Sequence, residues 1–244
     1  MPLLEVRGLD KRFGGLQAVR GLDLAVDEGE IVGLIGPNGA GKTTVFNLLS
    51  GFLAPDGGEV RFRGRSTRGL KPHRLCRLGM GRTFQIVRPF PRLTVLDNVK
   101  VGAFARHVRP GAALERARAV LAEVGLAHRV DVPARSLTLP ERKRLELARA
   151  LATEPVLLLL DEVLAGLNPT EIDQIVPLIG RINARGVAIL LIEHNMRAVM
   201  AVSHRVVVLC FGEKIADGAP AAVAVAPRVV EAYLGADDEA RGPA

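Results

Sequence analysis

A glycine-rich turn between an apolar strand and a helix constrains this chain most. Residues Ile31–Ile35 are almost entirely apolar, and residues 36–44 then read GPNGAGKTT. Glycines at positions 36, 39 and 41 let the backbone wrap tightly with its N–H groups pointing inward. The helix that follows directs its positive end at the same point. With a strand before it and a helix after it, the turn predicts an α/β arrangement.

Strand-like and helix-like segments alternate along the rest of the chain. The runs at 156–160 and 187–192 are continuously apolar, and the strand-like run at 205–209 is apolar after Arg205, which is typical of strands buried on both faces of a parallel sheet. Short β-type runs also occur at 3–6 and 17–26, and we expect a smaller antiparallel β lobe near the N-terminus. The sequence therefore predicts an α/β chain with a mostly parallel core sheet, that β lobe and an inserted α-helical subdomain.

The 244 residues, 48% of them hydrophobic, are enough to bury a core. We predict a single domain over residues 1–235, with the helical insert at about 86–150 and a flexible tail at 236–244. Two cysteines, Cys76 and Cys210, are too few for a disulfide framework. The N-terminus does not read as a signal peptide, and no apolar run approaches the ~20 residues that span a bilayer. We therefore expect a soluble, cytoplasmic chain.

The glycine-rich turn matches the pattern G-x-x-x-x-G-K-[ST]. In this pattern Lys42 is predicted to neutralise the β and γ oxygens of a triphosphate, and Thr43 to offer its hydroxyl to Mg²⁺. The residues predicted to bind the nucleotide through this loop are Gly36, Pro37, Asn38, Gly39, Ala40, Gly41, Lys42, Thr43 and Thr44.

A pair of acids follows the buried run at 156–160. Asp161 is predicted to hold the Mg²⁺ shell. Glu162, one residue further, is predicted to lie close to the γ-phosphate and to polarise the attacking water.

These motifs, in this order, resemble an ATP-binding cassette subunit, which is a P-loop NTPase, over nearly the whole chain. Thr83-Phe84-Gln85 resembles the Q-loop, which implies that Gln85 reaches the metal and the water. The segment LIEH at 191–194 resembles the switch segment, which implies that His194 contacts the γ-phosphate. Phe13 matches the aromatic residue that stacks on adenine. The resemblance thus implies ATP and Mg²⁺ as cofactors, with Glu162, His194 and Gln85 as the catalytic group.

Longer segments narrow the resemblance to the ATPase subunits of branched-chain amino-acid importers. They are KRFGGLQAVRGLDL, GRTFQIVRPFPRLTVLDNV, DEVLAGLNPTE, LIEHNM and VVEAYLG. This resemblance implies an ATPase peripheral to the inner face of the membrane, bound to two membrane permease subunits and to a second, different ATP-binding cassette. An extracytoplasmic solute-binding protein would feed the assembly. Related members handle urea, amides or aromatic acids, so the solute stays open.

The cassette signature, most often Leu-Ser-Gly-Gly-Gln, is altered here to Leu137-Thr138-Leu139-Pro140-Glu141. Thr138 and Glu141 keep the pattern of a capping box at the start of a helix. The bulk of Leu139, the missing N–H of Pro140 and the charge of Glu141 weaken anion binding, and Arg142 and Lys143 can compensate in charge but not in geometry. The resemblance implies that this signature completes the nucleotide site of the partner cassette.

Asn168 closes the predicted D-loop, where many cassettes carry Asp. It can hydrogen-bond across a cassette dimer, or it can simply cap the next helix together with Pro169 and Glu171. The sequence leaves both roles open.

The stretch Arg61–Arg92 carries ten basic residues and no acidic one, in a chain of net charge +7. A solvated face, a charged partner, anionic headgroups and nucleic acid could each account for it. Only three aromatic residues lie among these charges, so nucleic acid is not expected.

Two other functions stay open, namely a soluble cassette acting on nucleic acid or ribosomes, and a non-hydrolysing regulatory module suggested by Pro140.

Overall fold

A computed structural model of the chain describes residues 1–86 and 88–239. The chain forms two compact units. The first unit comprises Met1–Lys71 and Ala188–Ala244, and the second comprises Pro72–Val187. Among the described residues, no helix combines the length and the apolar character that crossing a bilayer demands.

The strands are β1 (Leu4–Phe13), β2 (Leu16–Val26), β3 (Ile31–Ile35), β4 (Gly57–Phe62), β5 (Arg65–Ser66), β6 (Met80–Arg82), β7 (Leu157–Asp161), β8 (Ala188–Ile192), β9 (Arg205–Cys210) and β10 (Glu213–Gly218). The helices are α1 (Lys42–Leu49), α2 (Pro72–Leu78), α3 (Val95–Ala103), α4 (Pro110–Glu123), α5 (Leu139–Leu151), α6 (Pro169–Ala184), α7 (Met196–Val202), α8 (Pro220–Ala224) and α9 (Pro227–Glu239).

The first unit contains an antiparallel sheet in the order β2-β1-β4-β5. β1 and β2 form a hairpin in which Phe13 pairs with Leu16 across the turn Gly14-Gly15, and Gly14 has φ 56°. A turn residue with positive φ favours glycine, because a side chain would clash with the backbone. This sheet is the antiparallel lobe expected near the N-terminus.

The same unit carries a second group of strands in the order β10-β9-β3-β8. β3 pairs in parallel with both β8 and β9, and every residue of β3 and β8 is buried. Only β10 runs antiparallel, against β9. The expectation of a mostly parallel α/β core is therefore confirmed, because continuous apolar runs suit strands covered on both faces.

In the second unit, β6 pairs in parallel with the fully buried β7, and α3 packs against both α4 and α5. These three helices lie between Val95 and Leu151, in the region for which a helical insert is predicted. The part of this region before α5 contains two α-helices. Thr94 caps α3 by accepting a hydrogen bond from the Asp97 N–H, and α4 begins at Pro110.

Three elements in the basic stretch, β5, α2 and β6, were not predicted from the sequence. β6 has only three residues, Met-Gly-Arg, so it shows no hydrophobic period. At the other end of the chain, α9 continues through Glu239. Residues 236–239 of the predicted tail are therefore helical, whereas residues 240–244 lie outside the described part of the chain.

Gly33, in the middle of β3, has no room for a side chain. A Cβ there would lie 2.8 Å from Val199 Cγ1 and 3.0 Å from Ser203 Oγ. We expect Gly33→Ala to lower the free energy of unfolding by about 1–3 kcal/mol through overpacking. Chemical denaturation measures the change.

Gly180 on α6 is the matched control, because a Cβ there meets no atom within 4 Å. Gly180→Ala should stabilise the chain by roughly 0.5–1 kcal/mol, since alanine loses less backbone entropy in a helix. Equal effects of the two substitutions would contradict the packing described around Gly33.

Candidate functional site

The glycine-rich loop connects β3 to α1 and packs closely against two other backbone segments. Gly36 has φ 148°, and a Cβ there would lie 2.1 Å from the carbonyl oxygen of Leu209 in β9. Gly41, the N-cap of α1, has φ 101°, and its Cβ would lie 2.3 Å from the carbonyl oxygen of Ala18 in β2. Only glycine fits at these two positions, so the tight turn is built into the chain.

Lys42 is folded back over this loop. Its Nζ donates hydrogen bonds to the carbonyl oxygens of Gly36 (2.7 Å) and Pro37 (2.9 Å), and the residue is only 6% exposed. Thr43 is exposed, and the first turn of α1 contains no acidic residue. The loop thus lies at the positive end of α1, whose own first turn adds no carboxylate, and this suits an anion.

Two further segments of the first unit support the loop. The N–H of Gly212, between β9 and β10, donates to the carbonyl of Ala40 (3.1 Å), and the N–H of Arg20 in β2 donates to the carbonyl of Gly212 (2.9 Å). Tyr233 of α9 is hydrogen-bonded to the backbone of Gly36, while burial raises the pKa of its phenol. The terminal segment VVEAYLG therefore reaches the phosphate-loop backbone, which the sequence pattern did not indicate.

His194 and Phe13 belong to the same unit as the loop. Ile192, the last residue of β8, pairs in register with Leu34 of β3, so His194 and the loop follow the carboxyl ends of neighbouring parallel strands. His194 is exposed, and the following residue, Asn195, caps α7.

Phe13 is 46% exposed and has the Lys11 Nζ 5.6 Å from its ring centroid. Its register partner, Leu16, is two residues from Ala18, whose carbonyl approaches Gly41 of the loop. An exposed aromatic ring thus lies on the hairpin that supports the loop, where a planar ligand group could stack on it.

In the second unit, Asp161 ends β7 and forms a buried ion pair with Arg82 of β6. Arg82 Nη2 donates to Asp161 Oδ2 at 3.0 Å, and Asp161 is only 2% exposed. Burial raises the pKa of Asp161 and lowers that of Arg82, and the hydrogen bond between them opposes both shifts. The other carboxylate oxygen, Oδ1, is buried without a hydrogen-bond partner among the described residues.

Glu162 follows directly and has an unusual backbone conformation. Its φ is 49°, a left-handed conformation that costs a non-glycine residue about 1–2 kcal/mol. Gln85 Nε2 donates to Glu162 Oε2 at 2.7 Å, and Lys143 Nζ of α5 donates to the Glu162 carbonyl at 2.9 Å. The structure therefore brings together the two predicted catalytic residues of this unit, Gln85 and Glu162.

Thr83 links these two segments. Its Oγ1 accepts a hydrogen bond from the Asp161 N–H at 3.1 Å, and its own N–H donates to the Leu159 carbonyl at 2.9 Å. Gln85 and the acid pair thus follow the carboxyl ends of the paired strands β6 and β7. Sequence reasoning missed Arg82 and Lys143 at this site, because it counted the first within the basic stretch and assigned the second to the signature.

The altered signature begins α5 as a capping box. The Thr138 N–H donates to Glu141 Oε2 (2.9 Å), and the Glu141 N–H donates to Thr138 Oγ1 (3.5 Å), as its sequence pattern predicts. Pro140 lies in the first helical turn. Leu139 is exposed, and its Cδ2 lies 3.1 Å from the position of a Cβ on Gly166.

The charge of Glu141 is compensated by a residue that the sequence did not suggest. Arg129 Nε donates to Glu141 Oε1 at 2.7 Å. Burial alone would raise the pKa of Glu141, but the hydrogen bonds from Thr138 and Arg129 outweigh it and lower the pKa. Arg142 Nη2 donates to the Arg135 carbonyl and Lys143 Nζ to the Glu162 carbonyl, and the compensation expected from their charges stays a prediction.

Asn168 caps α6. Its Oδ1 accepts from the Glu171 N–H at 3.0 Å, and its N–H donates to Glu171 Oε2 at 2.8 Å, with Pro169 in the first turn. The helix-capping role considered for Asn168 is thus present. Its role across a dimer stays a prediction.

Comparison with known proteins decides the family. The model of the family described as ABC transporter matches residues 19–165. The chain belongs to the ABC transporter family. It is 44% identical to the high-affinity branched-chain amino acid transport ATP-binding protein BraF of Pseudomonas aeruginosa, over 96% of this chain and 98% of that protein. It is 42% identical to LivG of Escherichia coli K12, a protein with the same descriptive name, over the same shares.

A solved structure shows the same fold. The ADP conformation of an ATP-binding cassette of an ABC transporter superposes with a TM-score of 0.88 at 31% identity, over 96% of this chain and 99% of that one. The expected P-loop cassette fold is therefore confirmed for this ABC transporter chain. The roles of its individual site residues stay predictions.

The residues of this cassette are suitable for a nucleotide with a divalent cation. Among the described residues, no three His, Cys, Asp or Glu side chains form a metal cluster. Mg²⁺ usually binds through one or two carboxylates, waters and phosphate oxygens. The unpartnered Asp161 Oδ1 is a carboxylate oxygen of that kind, and the glycine loop that follows β3 can hold phosphates.

Removing Arg82 should lower the free energy of unfolding, because Arg82 compensates the burial of the Asp161 carboxylate. We expect Arg82→Met to destabilise the chain by about 3–5 kcal/mol at neutral pH, because a buried carboxylate is left without its cation. The substitution also raises the pKa of Asp161 further. As the pH falls through that raised pKa, Asp161 takes up a proton, and the difference in unfolding free energy from the native chain should shrink.

Urea denaturation at neutral and mildly acidic pH measures this difference. The exposed Arg118→Met is the matched control and should change stability little at either pH. In the double variant Arg82→Met with Asp161→Asn, the pH dependence should disappear. A pH-dependent difference that survives in this double variant would exclude Asp161 as its source.

Proposed function

We propose that this chain is the ATP-hydrolysing subunit of an importer for branched-chain amino acids or related small solutes. The proposal rests above all on the 44% identity that spans nearly the whole length of both this chain and BraF. The glycine loop with its inward lysine, and the acid pair held by Arg82, Gln85 and Lys143, support it with the chemistry that ATP hydrolysis needs.

Each residue has a defined task in this proposal. The loop amides and Lys42 hold the phosphates, and Thr43 and Asp161 hold Mg²⁺, which supplies positive charge to the phosphate oxygens. Glu162 accepts a proton from the attacking water. Little covalent chemistry is required of the protein, because positioning and charge stabilisation provide most of the rate.

The remaining predicted residues complete the site. Gln85, which donates to Glu162 Oε2, orients that carboxylate and reaches the metal. His194 contacts the γ-phosphate, and Phe13 stacks its exposed ring on adenine. These roles follow from the resemblance, and the exposure of both side chains is compatible with ligand contact.

We further propose that the chain works at the inner face of the cell membrane, with two permease subunits and a second, different cassette. ATP would join the two cassettes, and hydrolysis would release them. The altered signature at Thr138–Glu141 would then face the partner's nucleotide. Because Arg129 neutralises Glu141, the repulsion of phosphate expected from that carboxylate is reduced.

The structure gives less support to the other two functions. Within the basic stretch, Arg82 is buried against Asp161 and Arg61 is paired with Glu59, so fewer cations are available for nucleic acid than the sequence indicates. A non-hydrolysing module would not need Glu162 and Gln85 held in contact, as they are here. We therefore propose no nucleic-acid partner.

Two substitutions separate binding from hydrolysis. Glu162→Gln should keep ATP affinity and lower kcat by about 10²–10⁴-fold, because the general base is lost. Lys42→Ala should weaken ATP binding by at least tenfold. Equilibrium ATP–Mg²⁺ binding and phosphate release by the assembled transporter measure the two effects. The control is Glu115→Gln, at an exposed position on α4. If Glu162→Gln hydrolysed ATP as fast as this control, the assignment of Glu162 as the general base would be refuted.

The solute class requires a transport assay. In proteoliposomes that contain the chain, its permeases and the binding protein, we expect uptake of labelled leucine with ATP on the side of the cassettes. Glu162→Gln should abolish this uptake. Transport of urea or a short amide, with no transport of leucine, would assign the importer to another solute.

A further inference from the structure

Lys143 is a buried cation that lies beside the predicted catalytic glutamate. It belongs to α5, two residues after Glu141 of the altered signature, and is only 6% exposed. Its Nζ donates a hydrogen bond of 2.9 Å to the backbone carbonyl of Glu162. The side chain therefore points from the signature helix to the end of β7.

The carbonyl that Lys143 holds belongs to a strained peptide. Glu162 has φ 49°, and its carbonyl also accepts a hydrogen bond from the Ala165 N–H at 3.2 Å in the following turn. A left-handed conformation at a non-glycine residue persists only where the surroundings impose it. Lys143 is one of the groups that impose it here.

Glu162 is thereby fixed at both ends. Gln85 holds the carboxylate at 2.7 Å, and Lys143 holds the peptide that follows the Cα. If the backbone of Glu162 left the left-handed conformation, its Cα–Cβ bond would turn and the carboxylate would move relative to Gln85. A general base must be placed to within a fraction of an ångström for efficient proton transfer. A hydrogen bond that fixes the backbone of Glu162 therefore helps to place its carboxylate.

The charge of Lys143 also acts on its neighbours. Glu146, one turn further along α5, and Asp161 are buried carboxylates whose pKa values are raised by burial and partly lowered by Lys143. Arg149 pairs with Glu146 at 2.8 Å, and Arg82 pairs with Asp161. Lys143 thus lies near two buried carboxylates, Glu146 and Asp161, whose ionised forms its positive charge favours.

We propose that Lys143 is a positioning residue for ATP hydrolysis, which acts through Glu162 by holding its peptide in the left-handed conformation. The inference rests on the proposed function, because it takes Glu162 as the general base. It replaces the simpler view of Lys143 as a charge that compensates the altered signature. Through Lys143, α5 also contacts the general base, Glu162, of the chain's own nucleotide site.

The test measures steady-state hydrolysis of ATP–Mg²⁺ by the full chain in its assembled transporter. Lys143→Met should lower kcat at least tenfold, with KM and equilibrium ATP affinity within about twofold of the native values, because the hydrogen bond of Lys143 goes to the Glu162 carbonyl and not to the phosphate loop. Lys143→Arg, which keeps a cationic donor, should restore most of kcat. Lys100→Met on α3 is the matched control, since the Lys100 side chain is 29% exposed and its Nζ pairs with Asp97 at 2.9 Å, and this variant should behave as the native chain.

A double substitution distinguishes positioning from a general structural role. If Lys143 acts through Glu162, Lys143→Met should cause no further loss of residual rate in a Glu162→Gln background. An additive loss, or a parallel fall in ATP affinity and melting temperature without rescue by Lys143→Arg, would show a merely structural residue and overturn the proposal. Native kcat in Lys143→Met would overturn it as well.

The same data separate this inference from the proposed function. Hydrolysis by the native chain that Glu162→Gln abolishes supports the proposed function, whatever Lys143→Met does. If the native transporter does not hydrolyse ATP, both proposals fail. If the native transporter hydrolyses ATP, Glu162→Gln loses that activity and Lys143→Met keeps the native kcat, the positioning role alone fails.

Discussion

Parallel pairing of β3 with β8, and of β6 with β7, is the constraint on which the candidate site depends. Parallel strands end at the same edge, so the segments that follow them are brought together. In the first unit these segments are the glycine loop and His194, and in the second they are Gln85 and the acid pair. Within each unit, strand order therefore brings the predicted site residues of that unit together before any side chain contributes.

Buried charge is the second organising feature. Asp161 and Glu146 lie in surroundings that raise their pKa values, and each is matched by a nearby arginine, Arg82 or Arg149. A buried carboxylate without a cation would take up a proton and lose its use as a metal ligand. The one oxygen of Asp161 that has no partner within the described residues is the one available to a cation.

The altered signature shows how a helix start can be kept while the usual anion-binding residues are lost. Thr138 and Glu141 preserve the reciprocal hydrogen bonds of a capping box, so α5 begins with a complete N-terminal cap. Arg129 then neutralises the carboxylate that this box introduces. Because α5 also carries Lys143 to the Glu162 carbonyl, the same helix connects the signature to the acid pair.

The sequence by itself determined the α/β class, the phosphate loop and the acid pair, because these depend on local spacing and on continuous apolar runs. It indicated the cassette fold through its resemblance to a known family. The sequence did not predict the short strand β6, since three residues are too few to show a hydrophobic period. Only the tertiary structure decided that Arg82 is buried against Asp161, that Arg129 serves Glu141, and that Lys143 holds Glu162. These contacts join residues far apart in the chain, and the charge of an arginine or a lysine in a sequence does not reveal which carboxylate or carbonyl its side chain will meet.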